Sequence, residues 1–274
     1  MKIPPGTVSS TLAGALRGAL QVALAGLLLL PLVVLVLLSL SKHWSWPALL
    51  PGEIQGLQWL RLIADTRGLG GVVLRSAGLG LGVAVLATSL GFVTSRSVAL
   101  HGRGPLMAIL HVPFALSPVV VGVSLLYLFL RLHLAGHVVG VMLAQLIFAY
   151  AYAAILLAGF WNAEVQSLTE VALALGARRL HLWRRVLAPL ARPLLLVCLF
   201  QTFSISWFDY PLTLLIGESR VTTLTVSLYQ YFSSGDTRLA ATCGLILLAP
   251  PLLVLAIHRQ LLLASIAGPE GGRR

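Results

Sequence analysis

The 274 residues are 58% hydrophobic and only 10% charged, with a mean hydropathy of +0.94, where soluble domains run to about a quarter charged. That composition excludes an ordinary soluble enzyme and indicates a membrane protein. The net charge of +11 is almost all arginine, in short clusters between apolar runs, which suits headgroup-facing loops and membrane lipid and argues against a nucleic-acid partner.

A run over about 19–40 follows Lys2 and Arg17. A bilayer span needs roughly 20 apolar residues, and a signal-peptide core only ~7–15, so this run reads as a retained first span. Five more runs have spanning length, over about 72–94, 107–130, 138–160, 194–216 and 239–258. With no extended linker between them, the chain reads as one all-α transmembrane domain over 1–274. In the second run, Gly78 and Gly82 place small residues four apart, a helix-packing signal. Pro113 and Pro118 interrupt the third, where a lost backbone hydrogen bond predicts a kink, and Pro118 is a candidate for the solute path. His133 and His137 stand four apart, but across a loop containing Gly136, a spacing read as incidental and not as a metal site.

Between the fourth and fifth runs stands SLTEVALALGARRLHLWRRVLAPLARP, Ser167 to Pro193. Ser167 and Glu170 have capping-box spacing, and Gly176 suits the residue just past a helix end. A second short helix is expected to start near Ala177 and to stop before Pro189, with Leu180, Trp183 and Leu187 on one face and Arg178 and Arg185 opposite. On these grounds alone, the segment could be an interfacial helix held on anionic lipid.

In the fifth run Asp209 is the only carboxylate within an apolar span, where a charge costs at least ~2.5 kcal/mol and so faces a cavity or a partner. Counting from Leu194 on the inner side, it lies ~22 Å along the helix, just before Tyr210 and Pro211. Two readings stand: a helix cap or partner of Arg220 or Arg238, or a path-lining acid, with Tyr210 and Pro211, facing a cationic or hydroxylated solute. Cys198 and Cys243 have neither disulfide nor zinc spacing and read as buried thiols. Lys occurs only at Lys2 and Lys42, neither in a G-x-x-x-x-G-K-[ST] setting, so this chain is not a Walker-type ATPase. No H-E-x-x-H, G-x-S-x-G or paired intramembrane carboxylates suggest an enzyme. With the N-terminus inside, 12 of the 19 Lys and Arg residues fall in inner segments, which places both termini in the cytoplasm.

The stretch EVALALGARRLHLWRRVLAP resembles the EAA motif of ABC-importer permeases, the inner-membrane subunits of binding-protein-dependent transport. Glu170, Ala172, Gly176 and Pro189 match that pattern, Val186 stands for its Ile, and Val171 and Ala188 depart from its Ala and Leu. The resemblance covers most of the chain, since six spans with this loop between the fourth and fifth is also the family's arrangement. It implies a cytoplasmic two-helix coupling loop over 163–192 that docks on a separate ATPase, Leu180 and Trp183 entering its groove and the arginines meeting its acidic rim. ATP and Mg would then be bound by that partner, with no cofactor in this chain. It also implies a second permease subunit, identical or homologous, and an extracytoplasmic solute-binding protein. VPFALSPVVVGVSLLY and FDYPLTLLIG are similar to permeases for polyamines, ferric iron, thiamine and phosphonates. The competing reading, a secondary transporter, would be expected to show internal repeats and several buried charges.

Overall fold

The computed structural model describes residues 7–42, 44, 48, 50, 53–54, 68–100 and 103–266, with the side chains at 7–13, 15, 100, 103–104, 179–180 and 257–266 excepted. Lys2, most of the first outer loop, Arg273 and Arg274 lie outside the described residues, as do the side chains of Arg179, Leu180 and Arg259. The described chain is helical, its only strand-like pairing being an isolated bridge between Ser41 and Ile54. The all-α membrane architecture expected from composition is what folds: among the described residues five helices are long and apolar enough to cross a bilayer, or six if one bent pair counts as a span.

The helices group into two compact units. Met1–Arg61 with Leu228–Arg274 form one, and Leu62–Ser227 the other. The first is built on α1 (Thr7–Leu40) and α11 (Thr237–Ile266). Leu20, Leu27, Leu28 and Val33 of α1 are each more than half exposed, as suits a helix apolar on all sides whose surface is left to membrane lipid. α11 starts on Asp236, whose Oδ1 accepts from Leu239 N at 2.9 Å.

The second unit holds α2 (Leu69–Leu100), α3 (Arg103–Ala115), α4 (Pro118–Arg131) and α5 (Val138–Ala158). After these come α6 (Ala163–Ala174), α7 (Arg179–Leu182), a π-helical turn (Trp183–Leu187), α8 (Ala188–Trp207) and α9 (Pro211–Gly217). The last helix, α10 (Leu224–Ser233), straddles the boundary between the units, and Ser76 Oγ caps its start by accepting from Leu224 N at 2.7 Å. The core of the second unit is α2 against α5. Ala144, Ala149, Ala151, Ala153 and Ala154 are all buried, which lets backbones approach as small residues do in membrane helix pairs. The closest approach is at Gly91, where a Cβ would stand 2.6 Å from the Ala153 Cβ. The Gly78–Gly82 pair does not pack as expected: Gly78 faces open space, Gly82 meets Met142, and Gly80 between them receives the Phe203 ring.

Three helix boundaries differ from expectation. The run 107–130 is not one kinked helix but α3 and α4 meeting at 96°. Pro118 is the cause: it drives Ser117 to φ −66°, ψ 136°, so the helix stops and restarts with proline in its first turn. The run 194–216 is likewise interrupted at 208–210, between α8 and α9. Conversely, the arginine stretch does not end before Pro189 but runs on into α8. A proline cannot donate to the carbonyl four residues back, and here the ring is admitted by the π turn, in which Ala188 N–H bonds Trp183 O, five residues back.

Candidate functional site

Two places in the second unit gather the residues singled out by sequence. The first is the elbow between α5 and α8. α6 is capped by Asn162, whose side chain accepts from Val165 N at 2.9 Å. Ser167 is not the cap: it sits inside the helix with its hydroxyl donating to Glu164 O at 2.9 Å, so the cap lies five residues earlier than the capping-box reading placed it. At the other end Gly176 has φ +81°. Gly176 N–H bonds Leu173 O at 2.9 Å and Ala177 N–H bonds Ala172 O at 3.0 Å, the paired bonds of a Schellman motif.

The apolar side of the second limb is turned into the chain itself. Trp183 is half-buried with its ring centroid 5.7 Å from Phe92 and 6.1 Å from Trp161, and Leu182 and Leu187 are 4% and 2% exposed. Val186 and Ala172 pack on the same cluster, and Arg96 of α2 lies 5.6 Å over the Trp161 ring. The side chain of Leu180 lies outside the described residues. α6 carries exposed apolar side chains instead: Leu168, Val171 and Leu173 are 43%, 58% and 46% exposed, and Leu175, its C-cap residue, 83%, with Leu168, Val171 and Leu175 spaced three, then four residues apart as on one helix face. Glu170 is exposed beside them, and Arg178, Arg184, Arg185 and Arg192 are exposed along the second limb. Pro189 lines a cavity of about 730 Å³ between α2 and α8.

The second place is a cavity of about 290 Å³ at which both helix breaks meet. Pro118, Asp209 and Pro211 line it together with the rings of Phe114, Phe148 and Phe208. Tyr210 stands next to them in sequence, half-buried at the start of α9. Asp209 Oδ2 accepts from Thr213 N at 2.9 Å, Thr213 Oγ1 at 2.8 Å and Gln145 Nε2 at 3.0 Å. The carboxylate thus caps α9 and lines the cavity at once. Arg220, one expected partner, lies at Gly136 beside Glu218 instead.

The comparisons decide the class. The family model for binding-protein-dependent transport system inner membrane components matches residues 80–267, taking in the elbow and both helix breaks. This chain belongs to that family, as the permease subunit of an ABC importer. The permease is 22% identical over 228 residues to the spermidine/putrescine transport system permease protein PotC of Haemophilus influenzae, covering 81% of this chain and 86% of that one. Its fold is similar to a chain in the crystal structure of a bacterial ABC transporter involved in the import of the acidic polysaccharide alginate. That match has a TM-score of 0.64 at 16% identity, over 94% of this chain and 99% of that chain. The permease is therefore a multi-pass inner-membrane protein of a class that operates with ATPase and binding-protein partners.

Of the residues that line the cavity, Pro118, Asp209 and Pro211 stood out in the sequence of this permease and Gln145 did not, nor did the exposed Leu168 and Leu175 of the elbow. Gln145 had a signal: it is the lone amide in an otherwise apolar span, and such groups find partners inside a bundle. The outward stripe had a weaker one, since periodicity shows which faces are apolar and not which of them the chain itself covers.

Proposed function

We propose that the permease couples to its ATPase through the α6–Gly176 elbow, with Leu168, Val171 and Leu175 entering the partner's groove and Glu170 and the exposed arginines at its rim. The observation that carries this reading is the outward stripe, which ends in Leu175 at 83% exposure beside a glycine-fixed turn. An apolar helix face presented this way suits helix-in-groove recognition. Trp183 and Val186 then work from behind, joining the elbow to α2 through Phe92 and Trp161. Both termini and the elbow lie in the cytoplasm, and a second permease subunit and an extracytoplasmic binding protein complete the importer.

The solute is a small cation, with a polyamine first among the candidates. A carboxylate beside three phenyl rings attracts an ammonium group both by charge and by the ring faces, whereas a phosphonate or other anion would meet like charge. The similarity to PotC points the same way. The test is to purify the tagged chain with the proteins it carries, reconstitute them in vesicles with the binding protein, and follow labelled putrescine and spermidine. ATP-dependent uptake is expected. Uptake that persists without the ATPase would contradict the coupling role, and ATP-dependent exclusion of both amines would contradict the solute class.

A further inference from the structure

Gln145 is 1% exposed, and its hydrogen-bonding groups are all engaged. Nε2 donates to Asp209 Oδ2 at 3.0 Å and to Thr213 Oγ1 at 2.9 Å, while Oε1 accepts from Ser206 Oγ at 2.5 Å. A carboxylate only accepts, so the amide has one possible orientation, with its NH2 toward Asp209. Ser206 lies in α8, Gln145 in α5 and Thr213 in α9, so one side chain joins the two halves of the broken span to the helix packed against both. Thr213 N, Thr213 Oγ1 and Gln145 Nε2 all converge on Oδ2.

We propose that Gln145 is a positioning residue for solute: by holding Oδ2 it fixes the Asp209 rotamer and presents the carboxylate's remaining acceptor capacity to the phenyl-lined cavity. The proposal rests on the cationic-solute reading. Capping of α9 does not need Gln145, because Thr213 supplies two donors of its own from within that helix. What the amide adds is direction. Its bond ties the carboxylate to α5, the helix that also contributes Phe148 to the cavity wall. Without it the carboxylate keeps its charge and its helix but gains rotamers, and a solute ammonium must then order it on arrival.

The experiment is a double-mutant cycle in the complete reconstituted importer, with putrescine and spermidine as probes. Gln145→Met keeps the length and removes every hydrogen bond; Asp209→Asn removes the charge. Each change alone is expected to raise the half-saturating amine concentration about tenfold, with the maximal rate held within about twofold. The double variant is expected to be no worse than Asp209→Asn, because Gln145 acts only through Asp209. Additive effects, or a fall in maximal rate at unchanged half-saturation, would overturn the assignment and leave Gln145 a purely structural group. Should Gln145→Met fail to accumulate, the exchanged pair Gln145→Glu with Asp209→Asn carries the test. Gln145→Glu alone sets two carboxylates together, and adding Asp209→Asn restores one carboxylate facing one amide. Recovery of uptake over Gln145→Glu alone supports the positioning role, and no recovery overturns it. If wild type takes up neither amine while its ATP hydrolysis still responds to the binding protein, the cationic reading falls and the proposal with it; additivity in an active importer removes the Gln145 assignment alone.

Discussion

Gly176 holds φ at +81°, and no atom beyond its chain neighbours lies within 4 Å of where its Cβ would stand, so a side chain there acts on the backbone and not through a clash with another part of the fold. The left-handed region costs an L-residue roughly 1–2 kcal/mol, more for a β-branched one and less for asparagine. Gly176→Val is therefore expected to reduce solute-stimulated ATP hydrolysis severalfold while Gly176→Asn stays near wild type, both measured in reconstituted complexes. Equal activity of the two variants would show that the turn's handedness does not matter to coupling. At this scale the sequence was legible where a residue type has one physical use. Gly176 after an amphipathic run, and Asp209 inside an apolar one, both announced themselves. Trp183 did not, because an aromatic on an apolar face suits a partner's groove and the chain's own core equally well. The rings of Phe92 and Trp161, distant in sequence, hold one side of it in the chain's own core.

Helix α6 shows how a correct element can be given the wrong start. Ser167 and Glu170 have the spacing of a capping box, yet the helix begins a turn and more earlier, because Asn162 also caps and follows directly on α5 and its short turn. Losing a cap costs about 1 kcal/mol. Asn162→Ala should thus speed amide hydrogen exchange over Ala163–Ala174 about fivefold, whereas Ser167→Ala should leave it nearly unchanged. The opposite order would restore the capping box. Packing is the second matter at this scale. Gly91→Ala adds a methyl where Ala153 already stands 2.6 Å away, and overpacking of this kind costs about 1–3 kcal/mol. A lowered unfolding temperature is expected for Gly91→Ala and none for Gly78→Ala, which faces open space. Length and hydropathy located the apolar runs but not all their ends: the helical segment long enough to span that was expected over 194–216 runs instead over 183–207. The 96° turn at Pro118 and the break at 208–210 could be read only as weak points, since whether a proline bends, breaks or is absorbed depends on its neighbours. Pro189 is absorbed by a π turn, and Pro118 is not.

On the proposed topology the elbow meets the cytoplasm and the turn after α9 meets the outside. Leu175 on the elbow and Ser219 on the turn after α9 are both exposed, while native Cys198 and Cys243 are buried and give little background. Leu182, at 4% exposure, would stay unlabelled on either side and is no reporter. In intact cells an impermeant thiol reagent should label Ser219→Cys and spare Leu175→Cys until the membrane is opened. Labelling of Leu175→Cys from outside would invert the topology. The central claim, that the elbow meets the ATPase through its outward leucine stripe, is tested most directly by cross-linking Leu175→Cys to cysteines set along the ATPase groove in the reconstituted complex. The account predicts a covalent permease–ATPase product from Leu175→Cys and none from Ser219→Cys. A complex that hydrolyses ATP in response to its binding protein, yet yields no product at Leu175, would contradict it.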